Sequence, residues 1–218
     1  MVSYNTLIGG TGSAGSIAQW VLSTAIVPAA PTIVEEAEAW IYRRLRHWQM
    51  ITSTSGTATA STTSLTVPAN FLEDKLLRFT GTSAMVLTRK PLQEVINAQS
   101  YDSAGVRVAD PPSIFANGGA GLQFDTAFDK AYPFTLWFYG QPGALGTATA
   151  SSTNFLTGSY PRLMRCACMI GAAEFMKDNG LGNYDRTYWE QQAEKEIFKA
   201  NAESDMHQRS IEGGAIII

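Results

Sequence analysis

The sequence is poor in charge, and its charged residues are unevenly placed. Asp, Glu, Lys and Arg make up 16% of the 218 residues, against about 25% in an average soluble protein. Residues 1–34 contain none of the four. So few charges indicate a surface that is partly uncharged or covered by other subunits. The net charge of −3 does not favour free binding of nucleic acid, which requires a basic face.

Cysteine and histidine are also scarce, with two residues of each type. Cys166 and Cys168 lie two apart in a predicted helix, so their side chains point to different faces and a disulfide is not expected. With no further metal ligands nearby, we interpret both as small buried apolar residues in a reducing compartment. His47 and His207 belong to no Ser–His–Asp or Cys–His pattern. We predict no metal, no cofactor and no enzymatic activity.

A basic leader and long apolar runs are missing from the N-terminus. Nothing there resembles the basic region of a signal peptide. Glycine, proline and polar residues interrupt every apolar run of residues 1–34, so none is long enough to span a bilayer. We expect no membrane partner.

Helical patterns lie near both ends of the chain. Thr32-x-x-Glu35 has the form of a capping box, and the apolar spacing behind it predicts a helix from Thr32 to about Trp48. His47, near the predicted end of this helix, is interpreted as stabilising the helix dipole. A shorter helix is predicted over Ser16–Ser23.

The second helical region begins at Pro161, a favoured first-turn residue. A final helix is predicted after Asn183 or Asp185. Its apolar stripe is narrow, which favours light packing or a contact with another subunit. The stripe consists of Trp189, Ala193, Ile197 and Ala200.

Between the helical regions the pattern is that of short strands. Residues 51–64 are rich in Ser, Thr and Ala and are predicted to be extended or irregular, and Gln141–Gly158 is predicted to be a loop. Turn signals separate six strand-like runs, and Asn117-Gly118 predicts a hairpin. The runs are Leu65–Val67, Leu76–Thr80, Met85–Thr88, Ser113–Ala116, Leu122–Asp125 and Phe134–Tyr139, and a short helix after Pro91 interrupts them.

This order of elements predicts an α+β fold. Helices from residues 1–50 and 159–210 are expected to form one helical bundle, with residues 51–158 as a β-rich insert. Residues 211–218 are predicted to be an extended tail. In it, Gly213 and Gly214 act as a hinge, followed by an apolar end that a partner buries or that folds back on its own core. That end consists of Ala215, Ile216, Ile217 and Ile218.

Gly10–Gly15 matches the G-x-G-x-x-G pattern of dinucleotide-binding folds, with an acidic residue about twenty positions further on. The alternative function is therefore a small dinucleotide-binding oxidoreductase. The segment before the glycines offers only Leu7 and Ile8 as a strand, so a loop between two short helical pieces is the favoured interpretation. A third possibility is a carbohydrate- or receptor-binding module that uses the Trp- and Tyr-rich strands.

Several motifs, taken in order, resemble the head-to-tail adaptor proteins of tailed phages. The strongest is the helix Ala37-Glu38-Ala39-x-Ile41-Tyr42-Arg43-x-Leu45-Arg46. The Gly9–Gly15 insertion departs from the usual continuous first helix of that family. The other matching motifs are Tyr4-x-x-Leu7-Ile8, Ile17-Ala18-Gln19-Trp20, Val67-Pro68-x-x-Phe71-Leu72-Glu73, Phe134–Tyr139 followed by Ala144-Leu145, Asn154-Phe155-Leu156, and Pro161-x-Leu163 with Ala172-Ala173-x-Phe175-Met176-x-Asp178 and Trp189.

The resemblance implies a structural protein of the virion that is made in the host bacterial cytoplasm. Family members form a ring, commonly of twelve copies, beneath the portal protein. They offer a platform to the next tail component, which is a nozzle, a stopper or the tail tube. Their C-terminal segments tend to reach the portal, and DNA passes through the lumen, here without specific binding. We assign ring or bundle contacts to Trp40, Arg43, Arg46, Trp189 and Ile197.

Overall fold

The structure is a computed structural model that describes residues 3–80, 85–145, 153–182 and 184–214, with side chains described as far as Gln208. The helices are α1 (Tyr4–Ile8), α2 (Ile17–Trp20), α3 (Ala30–Tyr42), α4 (Leu92–Asn97), α5 (Phe155–Ser159), α6 (Pro161–Asp178) and α7 (Arg186–Gly214). The strands are β1 (Ile51–Ala58), β2 (Ser64–Thr66), β3 (Phe71–Phe79), β4 (Met85–Val86), β5 (Thr88–Arg89), β6 (Ile114–Asn117), β7 (Gly121–Phe124) and β8 (Tyr132–Gly140). This mixture of helix and sheet confirms the predicted α+β class.

The chain divides into two units. Unit 1 comprises residues 1–49 and 142–218, and unit 2 comprises residues 50–141. Unit 1 is helical, and unit 2 contains α4 together with the eight strands of the described residues. Residues 142–158 fall in unit 1, whereas the predicted insert extends to residue 158.

The first helices of unit 1 begin at serine caps. The hydroxyls of Ser3 and Ser16 accept a backbone N–H from the first turn of α1 and α2, which satisfies one of the free donors of each helix. The short helix predicted over Ser16–Ser23 ends already at Trp20. A 3-10 helix, Thr24–Ala29, then leads directly into α3.

The start of α3 differs from the predicted one. The helix begins at Ala30, so Thr32 and Glu35 lie inside it and the predicted capping box is wrong. Carbonyl groups of the preceding 3-10 helix accept the N–H of Ala30, and Pro31 has no N–H to satisfy. A side-chain cap is therefore not needed.

The end of α3 also differs, because the helix stops at Tyr42 rather than near Trp48. The side-chain amide of Asn201, on α7, accepts the N–H of Arg46 at 2.9 Å. The same amide donates to the carbonyl of Arg44 at 3.4 Å. A longer helix would use these backbone groups itself, so the contact with α7 helps to end it.

α6 is the middle helix of unit 1 and packs against both α3 and α7. The approach to α3 is close at Gly171, where an added Cβ would lie 3.2 Å from Cγ2 of Ile33. The predicted start at Pro161 is confirmed. The loop predicted over Gln141–Gly158 is wrong in its last part, because Asn154 forms a capping box that begins α5.

α7 packs through a single narrow stripe, as its sequence predicts. Asp185 caps the helix by accepting the N–H of Tyr188 at 3.1 Å. The side chains with at most 4% exposure recur every three or four residues, which places them on one face of the helix. They are Ala193, Ile197, Ala200 and Ser204.

Unit 2 consists of two four-stranded sheets, ordered β1-β8-β3-β4 and β2-β7-β6-β5. All strand pairs are antiparallel except β5 with β6. The sequence predicts that residues 51–64 are either extended or irregular. In the structure Ile51–Ala58 are extended and form β1. Each of its eight residues pairs with β8.

Aromatic rings fill the core of unit 2. The ring centroids of Phe79 and Tyr132 lie 5.0 Å apart, and those of Phe124 and Phe128 lie 4.9 Å apart. The predicted hairpin at Asn117-Gly118 is confirmed, since it joins β6 to β7. The Asn117 side chain accepts the N–H of Gly119, which has a φ of +82°, a conformation that favours glycine.

Candidate functional site

The part of the chain that the structure describes contains no group of three or more His, Cys, Asp or Glu side chains that could hold a metal ion. Cys166 and Cys168 are both free and buried. Burial raises the pKa of both thiols. Since the thiolate is the reactive form of cysteine, neither residue is placed for nucleophilic chemistry.

The Gly10–Gly15 segment forms a loop between two short helices. The hydroxyl of Ser16 donates to the carbonyl of Gly10 at 2.8 Å, and the N–H of Gly15 donates to the side chain of Gln19 at 2.6 Å. A dinucleotide-binding fingerprint requires a β-strand before the glycines. Here α1 occupies that position, and Gln19 already accepts the Gly15 donor. The geometry gives the oxidoreductase alternative no support.

The outer face of α7 carries large side chains in solvent. Tyr188 is 50% exposed, Phe198 76% and Met206 65%. Because an α-helix turns by about 100° per residue, these three positions fall within a sector of about 80° on the side away from the buried stripe. Apolar groups grouped on one helix face suit a protein–protein contact. This is the clearest candidate for a binding surface in unit 1.

The C-terminal half of α7 is anchored to the segment that follows α3. In addition to the contacts of Asn201, the ring of His207 stacks on that of Trp48 with 4.2 Å between centroids. A further contact joins Glu203 to the hydroxyl of Tyr160, between α5 and α6, which donates at 3.0 Å. These contacts hold the helix over residues 201–207.

His47 lies at the centre of this anchor and is 3% exposed. Its Nδ1 accepts the N–H of Gln49 at 3.3 Å, and its Nε2 lies 3.0 Å from the hydroxyl of Tyr160. A backbone N–H can only donate, so Nδ1 carries no proton and the neutral ring holds its proton on Nε2. A chain of hydrogen bonds therefore runs from Gln49 through His47 and Tyr160 to Glu203.

The predicted role of His47 at a helix end is wrong. α3 ends five residues earlier, at Tyr42, and the imidazole is packed among the rings of Trp48, Phe155 and Tyr160. Burial lowers the pKa of His47, and the nearby His207 lowers it further, against an opposite effect of Glu203. All its ring partners except Trp48 come from a distant part of the chain, so local sequence gave no signal for this site.

Glu38, on α3, is a buried carboxylate with 2% exposure. It accepts the N–H of Leu145 at 3.0 Å and the side-chain amide of Asn154. Burial raises the pKa of Glu38, and the two hydrogen bonds partly offset that shift. The carboxylate thus ties the chain on both sides of residues 146–152 to α3.

The residues predicted to make ring or bundle contacts occupy different environments in unit 1. Ile197 is buried, while Trp40 and Trp189 are half-buried. The guanidinium of Arg44 lies 4.2 Å from the ring centroid of Trp40. Arg46 donates to the carbonyls of Tyr42 and Leu45, and Arg43 is exposed.

The predicted docking tail, Ala215–Ile218, lies outside the described residues. The predicted hinge residues, Gly213 and Gly214, are the last two residues of α7. No helix among the described residues is long and apolar enough to cross a membrane.

A protein-family comparison identifies the class of the chain. A family model matches residues 14–213, a range that includes parts of both units, and the class is that of phage head-to-tail adaptors. The matching model is described as SU10 adaptor protein, and the chain belongs to that family. A search of curated proteins finds no match.

Membership confirms the family that the sequence motifs resemble. It makes the chain a structural component of a bacteriophage virion, with other head or tail components as its partners.

Proposed function

We propose that this chain forms a ring beneath the portal of a tailed phage and links the portal to the next tail component. The observation that carries the proposal is the family match over residues 14–213. We propose twelve copies in the ring, the number that is common in the family. A nozzle, a stopper or the tail tube binds below, and the assembled protein lies at the head–tail interface of the virion.

In this proposal the helices of residues 1–50 and 159–210 form a bundle that makes the ring contacts. The exposed face of α7 supports such a role, because Phe198 and Met206 place apolar side chains in solvent. Burial of apolar area of this kind drives most protein association. The β-rich insert then faces neighbouring copies or the next tail component.

The apolar end of the chain, Ala215–Ile218, is the proposed portal-docking segment. Its β-branched residues favour extended backbone, so it binds by adding a strand or by filling an apolar groove. Gly213 and Gly214 supply the conformational freedom for it to leave the axis of α7.

The lumen of the proposed ring lets DNA pass without specific binding. Attraction to phosphate depends on clustered Lys and Arg, and the chain has 16 of these against 19 Asp and Glu. Titration of duplex DNA at several salt concentrations tests this point. A tight affinity that weakens steeply with salt would contradict it.

Measurement of mass tests ring formation. The purified chain is examined by light scattering alone and after mixing with the portal ring of its own phage. A stable complex with a fixed number of copies per portal is expected. Absence of any complex over a range of salt and protein concentrations would contradict the proposal.

A further inference from the structure

We propose that His47, Tyr160 and Glu203 form a latch that holds the C-terminal half of α7 against the segment after α3 and that opens when His47 is protonated. The proposal deepens the proposed function. The latch itself is independent of that function, and only its effect on portal docking rests on it. The part of α7 that the latch holds precedes the proposed docking tail along the chain.

The geometry of the closed latch requires a neutral imidazole. His47 accepts at Nδ1 from the N–H of Gln49, and its Nε2 proton is directed to Tyr160. The Tyr160 hydroxyl can then donate its own proton to Glu203, at 3.0 Å. Gln49, His47 and Tyr160 each donate one proton to the next group. The direction of each hydrogen bond therefore depends on the one before it.

Protonation of His47 breaks this arrangement at one defined atom. The added proton occupies Nδ1, where it meets the N–H of Gln49, and two donors then face each other. The imidazolium charge would also lie in a site that is 97% shielded from solvent and partly lined by the rings of Phe155 and Tyr160. Burying a charge in such a site is unfavourable.

The charged and titratable groups near His47 come from α7 and from the segment after α3. Glu203, Glu196, Lys199 and His207 line the same groove, of about 590 Å³, as His47 and Tyr160. Glu203 opposes the opening because its charge attracts an imidazolium, whereas His207 favours opening. The guanidinium of Arg46 is already bonded to backbone carbonyls.

The sign of the pH dependence follows from the lowered pKa of His47. An unfolded or detached segment binds the proton near the ordinary pKa of 6.5, and the closed latch binds it only at lower pH. The latch therefore holds fully above about pH 6.5. Below it, the opening constant rises by up to tenfold per pH unit until the pKa of the closed state is reached.

Hydrogen–deuterium exchange of the full chain, followed by mass spectrometry, tests the latch. Exchange is measured at about pH 8 and about pH 5 and corrected for the intrinsic pH dependence of amide exchange. Residues 199–208 are expected to lose protection at the lower pH, because the lowered pKa of His47 makes its protonation favour the open state. Residues 189–197, where Ala193 and Ile197 are buried, are expected to keep theirs.

Variants distinguish the contribution of His47 to the pH dependence from that of His207. His47→Gln does not titrate and is expected to abolish the pH dependence, and His207→Gln is expected to retain it. Tyr160→Phe removes the hydroxyl that joins His47 to Glu203 and is expected to lower the protection of residues 199–208 at both pH values. Should His47→Gln fail to fold, the His47 ring is titrated by NMR in the wild type, and its protonation is expected to occur over the same pH range as the loss of protection of residues 199–208.

Three results would overturn the latch. They are unchanged protection of residues 199–208 at low pH, an equal loss in His47→Gln, and a pH dependence that disappears only in His207→Gln. Binding to the portal, measured at both pH values, tests the consequence separately. If the helix end loosens on protonation while portal binding stays constant, the latch stands and the docking role of the tail is wrong.

Discussion

At the residue scale, the two polar side chains that organise unit 1 are buried and have distant partners. Glu38 bonds to Leu145 and Asn154, and His47 bonds to Tyr160. The sequence predicts only that Glu38 belongs to a helix and that His47 lies near its end. Neither environment could be inferred locally, because the partners are more than 100 positions away.

Replacement of Glu38 tests the first of these sites. Glu38→Ala leaves the Leu145 N–H without its acceptor and removes one acceptor of the Asn154 amide. Since an unsatisfied buried donor costs about 1–3 kcal/mol, the free energy of unfolding is expected to fall by about 2–3 kcal/mol. Urea denaturation followed by circular dichroism measures it.

Glu36→Ala is the matched control, because Glu36 is exposed on the same helix. Its effect is expected to stay within about 0.5 kcal/mol. Equal stability of both variants would show that the Glu38 contacts contribute nothing.

At the element scale, the sequence predicts which elements exist better than where they end. Periodicity and turn signals find α6, α7, and the hairpin of β6 and β7. The ends of α3 are missed because a 3-10 helix and Asn201 replace the local capping signals. β1 is left open because its Ser, Thr and Gly residues show no apolar alternation, and its strand form depends on pairing with β8.

The pairing of β2 with β7 depends on a glycine. A Cβ added at Gly121 would lie 2.5 Å from the carbonyl oxygen of Leu65, on β2. Gly121→Ala must therefore push the strands apart, with an expected loss of about 1–3 kcal/mol in unfolding free energy. Thermal denaturation measures it against Gly143→Ala, where an added Cβ meets nothing within 4 Å. Identical melting curves would contradict the close approach.

Removal of the tail tests whether it is a docking element. Deletion of Gly214–Ile218 is expected to leave the helical content and melting temperature unchanged and to abolish binding to the portal. Circular dichroism and co-sedimentation with portal rings measure the two effects. If the shortened chain unfolds, the tail belongs to its own core and its docking role is wrong.

At the scale of the whole molecule, no single motif identified the family. The order of weak motifs along the chain carried the resemblance, and the family match over residues 14–213 confirms it. Low charge and an exposed apolar helix face agree with a structural protein that contacts other subunits. Contacts between copies could not be derived from the sequence, because they depend on side chains whose exposure is known only after folding.

Substitution on α7 tests the proposed contact between copies. Phe198→Glu places a charge on the exposed face, where a neighbouring copy would have to desolvate it, so ring formation on the portal is expected to fall at least tenfold. Phe198→Leu keeps an apolar side chain at the same exposed position and serves as the control. Equal assembly of the two variants would rule out this face of α7.

The most direct test of the account is a cryo-electron microscopy reconstruction of the phage particle that carries this chain. The account predicts a ring of copies of this fold directly beneath the portal, with the C-terminal segments of α7 in contact with portal subunits. A reconstruction that places the chain elsewhere in the particle, or as single copies without contact to the portal, would contradict it.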